Sequence, residues 1–359
     1  MGEGRGRLPW GSASKRPYTT ALMSRTSAAV ALTPGLATGI GSLPYRDARE
    51  AAAVSLRCLP QLPAAPQLPE RTPVEGMIVQ WARALPEVSV ASDGSMTVDP
   101  SGAAQPFTVA FDPDAHGGLL AFVDLAAKQA EQPERVKLQL TGPLTMGVAL
   151  QRAGLSADVA FARAAVCTAA WVHELDALIA RKLPDTQSVI FVDEPALVLW
   201  SDDDAPLERE AAVDLLSGVL TGSPSIMGVH VCGDGDRRLA FEAGAPVVSL
   251  EVRSDLADDA ATIGRHLEAD GWIAWGAVPT DRPIGESPEG LWKDLVKVWC
   301  ELTRQGCDPI RLRTQAIVTP ACGLAGHGPS QAERALRLAC ELADRVHDQS
   351  VAARLTLGA

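Results

Sequence analysis

No stretch of this chain approaches the ~20 consecutive apolar residues that a membrane-spanning helix needs, so a helical membrane span is excluded. The cysteines lack close partners. Seven of them, at 58, 167, 232, 300, 307, 322 and 340, make an odd and scattered set with no short paired spacing. That pattern is not a disulfide framework; it fits a reducing compartment, and a cytoplasmic location is the expectation. Positive charge is in short supply, with 32 Lys and Arg against 44 Asp and Glu and a net charge of −12. Such an excess argues against nucleic acid or an anionic membrane as partner. A full G-x-G-x-x-G is missing too: Gly39-Ile40-Gly41 has no third glycine, which leaves a dinucleotide-binding fold unsupported.

What is present suffices for a large core. The 359 residues are 47% apolar, which suits one large α/β barrel or two smaller units. Residues 1–33 stand apart, with Arg5, Arg7, Lys15, Arg16 and Arg25 against the single acid Glu3 and many Gly, Ser and Thr. They lack the apolar core and cleavage pattern of a targeting peptide. We expect an unstructured extension there, or a true start at Met23, followed by one catalytic unit over 34–359.

From about Gly35, short β-rich runs alternate with helical stretches. The runs 136–140, 188–193, 225–232, 247–252, 272–278 and 315–319 are nearly continuous in apolar residues, as strands buried in a parallel sheet are. The run 36–42 makes a seventh. The alternation predicts an α/β fold, a single (β/α)8 barrel of TIM type, with its eighth strand within 74–112. A doubly wound open sheet is the competing architecture. The runs 87–92 and 107–111, separated by Asp93-Gly94, predict an inserted hairpin. Pro60, Pro63, Pro66 and Pro69 recur at every third residue before Pro73, which predicts a stiff loop lying over the domain. Ser156 with Asp158 opens a helix that Pro184 closes, and Ser330 with Glu333 predicts a capping box.

The residues that bear chemistry are His230, Cys232, Glu251 and Cys322. On a strand His230 and Cys232 leave the same face. Glu251 ends the next strand, and Cys322 follows the strand 315–319. Each stands at the C-terminal end of its strand, where parallel barrels build active sites. Nitrogen, two sulfurs and an oxygen make a suitable tetrahedral zinc set. Taken singly, a strand-end cysteine is more often a small core residue, and the histidine and glutamate have equally plain roles. All four share ligand chemistry and one face. Structural zinc usually takes short local pairs, whereas these ligands spread from 230 to 322, which favours a catalytic site.

Several of these residues fall within longer words: Gly41-Ser42 in TGIGSLP, Leu140-Thr141-Gly142-Pro143, Asp193-Glu194-Pro195-Ala196-Leu197, His230-Val231-Cys232, Glu251 in LEVRSD and Cys322 in TPACGL. In these words and their order, from about 39 to 326, the chain resembles the catalytic C-terminal half of cobalamin-independent methionine synthase. The resemblance implies a (β/α)8 barrel with zinc on His230, Cys232, Glu251 and Cys322. It implies homocysteine as methyl acceptor, its amino group on Asp193 and its carboxylate at Ser42. Two thiolates and one carboxylate around Zn²⁺ leave a net charge of −1, which a substrate thiolate replacing Glu251 preserves. Such a sulfur is deprotonated at neutral pH yet electron-rich enough to attack a methyl group.

There are departures from the family pattern. The family's acid histidine aligns with Asp281; His327, near Cys322, is the other candidate for that role, although an exposed loop histidine is its plainer reading. The family's substrate glutamate has only Glu75 as a neighbour. A length of 359 residues leaves no room for the second barrel that helps hold polyglutamylated folate. We therefore expect a methylated corrinoid protein, rather than methyltetrahydrofolate or its triglutamate, as donor. Two other readings stay open: a corrinoid-dependent methyltransferase acting on another thiol, on a related uroporphyrinogen-decarboxylase-like barrel, and a non-catalytic zinc- or thiol-binding relative.

Overall fold

The computed structural model describes residues 32–201, 205–285 and 287–357. The expected N-terminal extension, 1–33, lies outside them except for its last two positions. The strands, in chain order, are β1 (Leu36–Ala37), β2 (Val88–Val90), β3 (Met96–Val98), β4 (Arg135–Thr141), β5 (Gln187–Asp193), β6 (Ile226–His230), β7 (Val247–Glu251), β8 (Trp272–Val278) and β9 (Ala316–Pro320). Seven form one parallel sheet in the order β1-β9-β8-β7-β6-β5-β4. Each strand lies beside its neighbour in sequence, apart from the wrap that brings β1 against β9. A doubly wound sheet reverses direction at a switch point, and this order has none.

The strands form where sequence dictates. All seven residues of β8 are buried, and so are six of the seven in β5, which only a sheet covered on both faces allows. Helices supply the cover: Pro143–Arg152 and Ala157–Lys182 connect β4 to β5, Arg209–Leu220 precedes β6, and Pro288–Arg304 precedes β9. The long helix Pro329–Leu357 packs against β9 and β1. Among the described residues no helix is long and apolar enough to cross a membrane.

Several expectations need correction. The eighth strand is not formed within 74–112. The gap between β1 and β4 is spanned instead by 63–67, which makes isolated parallel bridges to Ser42 on one side and Lys137 on the other. The amide of Ala65 donates to the Lys137 carbonyl at 2.8 Å and that of Gln67 to the Gly41 carbonyl at 3.0 Å. Pro63 and Pro66 have no N–H to give, so no continuous ladder develops. The proline stretch therefore lies in the wall, not over the domain, and the described sheet is a curled seven-stranded one rather than a complete eight-stranded barrel. The buried Lys137 reinforces this seam by donating to the Ile40 carbonyl and, at 3.1 Å, to Gln139, whose own amide reaches the Ala65 carbonyl at 2.7 Å.

The hairpin exists, but it pairs 88–90 with 96–98 across the Asp93-Gly94 turn, and 107–111 forms no strand. It is fastened to the helix Ala157–Lys182 by a two-pronged ion pair, Arg163 Nε and Nη2 to Glu87 at 2.6 and 2.8 Å. The last helix begins at Pro329, so Ser330 sits inside its first turn rather than capping it. Glu333 instead pairs with Arg57 at 3.2 Å and Arg337 at 2.9 Å.

Candidate functional site

The C-terminal ends of β4, β5, β6 and β9 surround a cavity of about 250 Å³ walled by Ser42, Thr141, Asp193, His230, Cys232 and Cys322, with Gln67, Gln80 and Trp81 along one side. His230, the last residue of β6, is 1% exposed, and its Nδ1 lies 3.0 Å from the Ser249 hydroxyl. Its Nε2 is buried without a partner. Leaving such a group unpaired costs about 1–3 kcal/mol, and an imidazole nitrogen facing a cavity in this way is free to take a ligand.

Cys232 and Cys322 supply the neighbours. Each lies two residues past a strand end, and their sulfurs are 3.7 Å apart. The donor atoms of His230, Cys232 and Cys322 all lie within 4.8 Å of one another. A tetrahedral zinc with Zn–S arms of about 2.3 Å separates two sulfurs by about 3.8 Å, so the spacing fits the ion. One imidazole and two thiols also suit zinc rather than a hard cation such as Mg²⁺. The hydrogen bond between the two sulfurs pulls the Cys322 thiol well down, and the same contact pushes Cys232 well up.

Glu251 ends β7 but stands outside this group of three. Its carboxylate faces Arg253, Oε2 to Nη1 at 3.8 Å, and is partly exposed. Burial pushes its carboxyl up, and the Arg253 charge opposes that.

Asp193 ends β5 and is buried, with Oδ1 unpartnered. Burial raises its carboxyl, and the positive charge of Lys137 draws it back. Ser42 also reaches the cavity. Its carbonyl accepts from the Leu324 amide at 2.9 Å. A methyl group on Gly323 would stand 2.0 Å from the Ser42 hydroxyl and would force it to turn away. The GS turn and the Cys322 loop are thus docked to each other.

The remaining expected residues lie elsewhere. Glu75 is fully buried away from the cavity lining, with one carboxylate oxygen on Arg71 Nε at 2.6 Å and the other on the Gly118 amide at 2.8 Å. It braces the end of the proline segment. Asp281 is 70% exposed and 3.8 Å from Arg282. His327 is half-buried, with Nε2 3.1 Å from the Thr280 carbonyl, which ties two rim loops together. Neither lines the cavity.

Sequence reasoning missed Glu194, although it sits in the DEPAL word. Its carboxylate takes the amides of Leu144 and Thr145 at 2.9 and 2.7 Å and the Thr145 hydroxyl at 2.6 Å. That caps the N-terminus of the helix Pro143–Arg152, whose own preceding residue, Gly142, has no side chain to do so. The signal was available: an acid in one word, and in the other a helix start without a capping side chain.

Fold and site together define a class, a curled parallel α/β sheet with a nitrogen–sulfur ligand group at its C-terminal strand ends. Solved structures similar to this fold fall where the sequence words pointed. A B12-independent methionine synthase from Shewanella sp. W3-18-1, solved in complex with selenomethionine, is similar over 89% of this chain and 99% of its own, with a TM-score of 0.62 and 17% identity. A candidate vitamin-B12 independent methionine synthase from Listeria monocytogenes is similar over 84% of this chain and 86% of its own, with a TM-score of 0.53 and 13% identity. At these identities the likeness is one of fold. No family model matches the chain, and no curated protein matches it.

Proposed function

We propose that this chain is a zinc-dependent methyltransferase that moves a methyl group onto the thiol of homocysteine to give methionine. The observation that carries the reading is the grouping of His230, Cys232 and Cys322 within 4.8 Å, beside the unpartnered Asp193 carboxylate oxygen in one cavity. His230, Cys232, Cys322 and Glu251 would hold the metal. Bound there, zinc would supply a lowered thiol pKa, so that the substrate sulfur is ready to attack.

This chain's own residues do the rest. Ser249 fixes the His230 ring through Nδ1 and leaves Nε2 for the metal. Asp193 pairs with the substrate ammonium, and the Ser42 hydroxyl meets its carboxylate. A cavity of about 250 Å³ suits an amino acid of homocysteine's size. We read 34–359 as one catalytic unit, with 63–67 standing in the eighth place of its barrel.

The donor follows from the rim. A methyl on a folate nitrogen departs with an amine that must be protonated, whereas a cobalt-bound methyl needs no proton. Asp281 is turned to solvent and His327 is committed to the Thr280 carbonyl. A methylated corrinoid protein is therefore the preferred donor. Methylfolate is the second reading, favoured by the name of the Shewanella enzyme, B12-independent methionine synthase. The test is methionine formation from homocysteine by zinc-loaded protein with each donor alone. Turnover with the corrinoid donor is expected; turnover with methyltetrahydrofolate triglutamate alone would give the second reading, and none with either would leave a non-catalytic binding protein.

A further inference from the structure

The cavity is short of positive charge. Among the described residues its lining has no lysine or arginine, and a histidine that serves as a metal ligand is neutral. Asp193 is negative, and zinc held by two thiolates and a further anion carries a net negative charge. An amino-acid carboxylate entering this cavity meets like charge, and burying it without a countercharge is costly. The cation at hand is Lys137. Among the described residues it is the one buried lysine or arginine, 0% exposed on β4, just behind the lining. Its ammonium group donates to the Ile40 carbonyl and to Gln139 Oε1 at 3.1 Å, and lies 4.9 Å from the centre of the Phe191 ring. Two acceptors and a ring face account for all three N–H groups of an ammonium. Burial lowers Lys137 to about 8, which leaves it protonated at neutral pH.

The two hydrogen bonds of Lys137 point to one end of the cavity. Ile40 and Gln139 both line it, and Ile40 lies two residues before Ser42. Asp193 balances the lysine charge from a distance, and its own Oδ1 has no partner. A ligand ammonium that pairs with Asp193 takes that balance away, and a carboxylate at Ser42 restores it. We infer that Lys137 is a specificity-determining residue: from behind Ile40 and Gln139 it supplies the positive potential that lets the Ser42 end of the cavity take a carboxylate. The inference rests on the amino-acid reading of this cavity under the proposed function. It makes the preferred ligand a zwitterion, with its ammonium on Asp193 and its anionic end toward Lys137, rather than a simple amine.

Calorimetry with two ligands tests this without turnover. L-Methionine is the product of the proposed reaction; L-methioninamide keeps the ammonium group and lacks the carboxylate charge. Both would be measured on the zinc-loaded, full-length chain at about pH 6.5, where lysine and the ligand amines are largely protonated. The unaltered chain should prefer methionine by about tenfold or more, the value of a unit-charge attraction across up to ~10 Å at an effective dielectric constant of about 20. In Lys137→Met methionine should bind about tenfold weaker while methioninamide binds as well as before or better, so the preference disappears. A merely structural part for Lys137 would weaken both ligands together. Lys137→Gln, which keeps a donor for the Ile40 carbonyl but carries no charge, should behave as Lys137→Met does, and it decides the matter if that variant does not fold. An undiminished preference in a folded variant, or both ligands weakened alike, would overturn the inference, as would equal binding of the two by the unaltered chain. An unaltered chain that binds neither would instead remove the amino-acid reading, and the inference with it.

Discussion

The Glu194 carboxylate fills the space that a side chain on Gly142 would need: a methyl group added there would lie 2.2 Å from Glu194 Oε1. Two sequence words far apart in the chain are therefore halves of one joint. The joint holds the helix Pro143–Arg152 to the end of β5, where the adjacent Asp193 enters the cavity. Gly142→Ala should force the two apart and destabilise the protein by about 1–3 kcal/mol, as overpacking does. A denaturant midpoint unchanged from the unaltered chain would contradict this.

Asp193 should act on substrate rather than on metal. It is not among the three residues whose donor atoms gather within 4.8 Å. Asp193→Asn should keep its zinc and lose about 1.5–3 kcal/mol of homocysteine affinity, the range for a hydrogen bond to a charged group. Calorimetry would show the loss. A homocysteine analogue without the amino group should bind both forms equally.

His116 gives a pH prediction away from the metal. It is 1% exposed, boxed in by Trp81, Phe111 and Trp171, and takes the Asp112 amide on Nδ1 at 3.0 Å. Burial lowers it to about 4. A histidine lowered on folding binds fewer protons in the native state than in the unfolded chain, where its pKa is near 6.5. Its contribution to stability is therefore complete above about 6.5 and is lost as pH falls toward 4. The loss approaches about 3 kcal/mol at the acid end, at 1.36 kcal/mol per pKa unit. His116→Asn, which keeps an acceptor for the Asp112 amide, should flatten the fall in denaturant midpoint between pH 7 and pH 4 without changing zinc content. An equally steep fall in the variant would place the acid sensitivity elsewhere.

Much of this was legible in sequence, and the exceptions have physical causes. The strands from β4 to β9 were readable because two-sided burial demands continuous apolar runs, as in VKLQL and WIAWGAV. The seam at 63–67 was not, because it is made by the amides of Ala65 and Gln67 between prolines, and no side-chain pattern marks it. The grouping of His230, Cys232 and Cys322 could be anticipated because strand ends fix where such residues stand. The surroundings of Glu75 and Glu251 could not, since whether a carboxylate meets a cavity or an arginine depends on loops that sequence periodicity does not describe. Glu75 is taken by Arg71 and Gly118, and Glu251 faces Arg253.

The account stands most directly on the metal. One zinc per chain should accompany the purified protein, held by His230, Cys232 and Cys322 with Glu251. Elemental analysis of the unaltered chain and of a Cys232→Ser, Cys322→Ser double variant, each with its melting temperature, is the decisive measurement. The account predicts about one zinc in the first and close to none in the second, because thiolates, not hydroxyls, hold the ion. Equal zinc in both, with the variant folded, would contradict it.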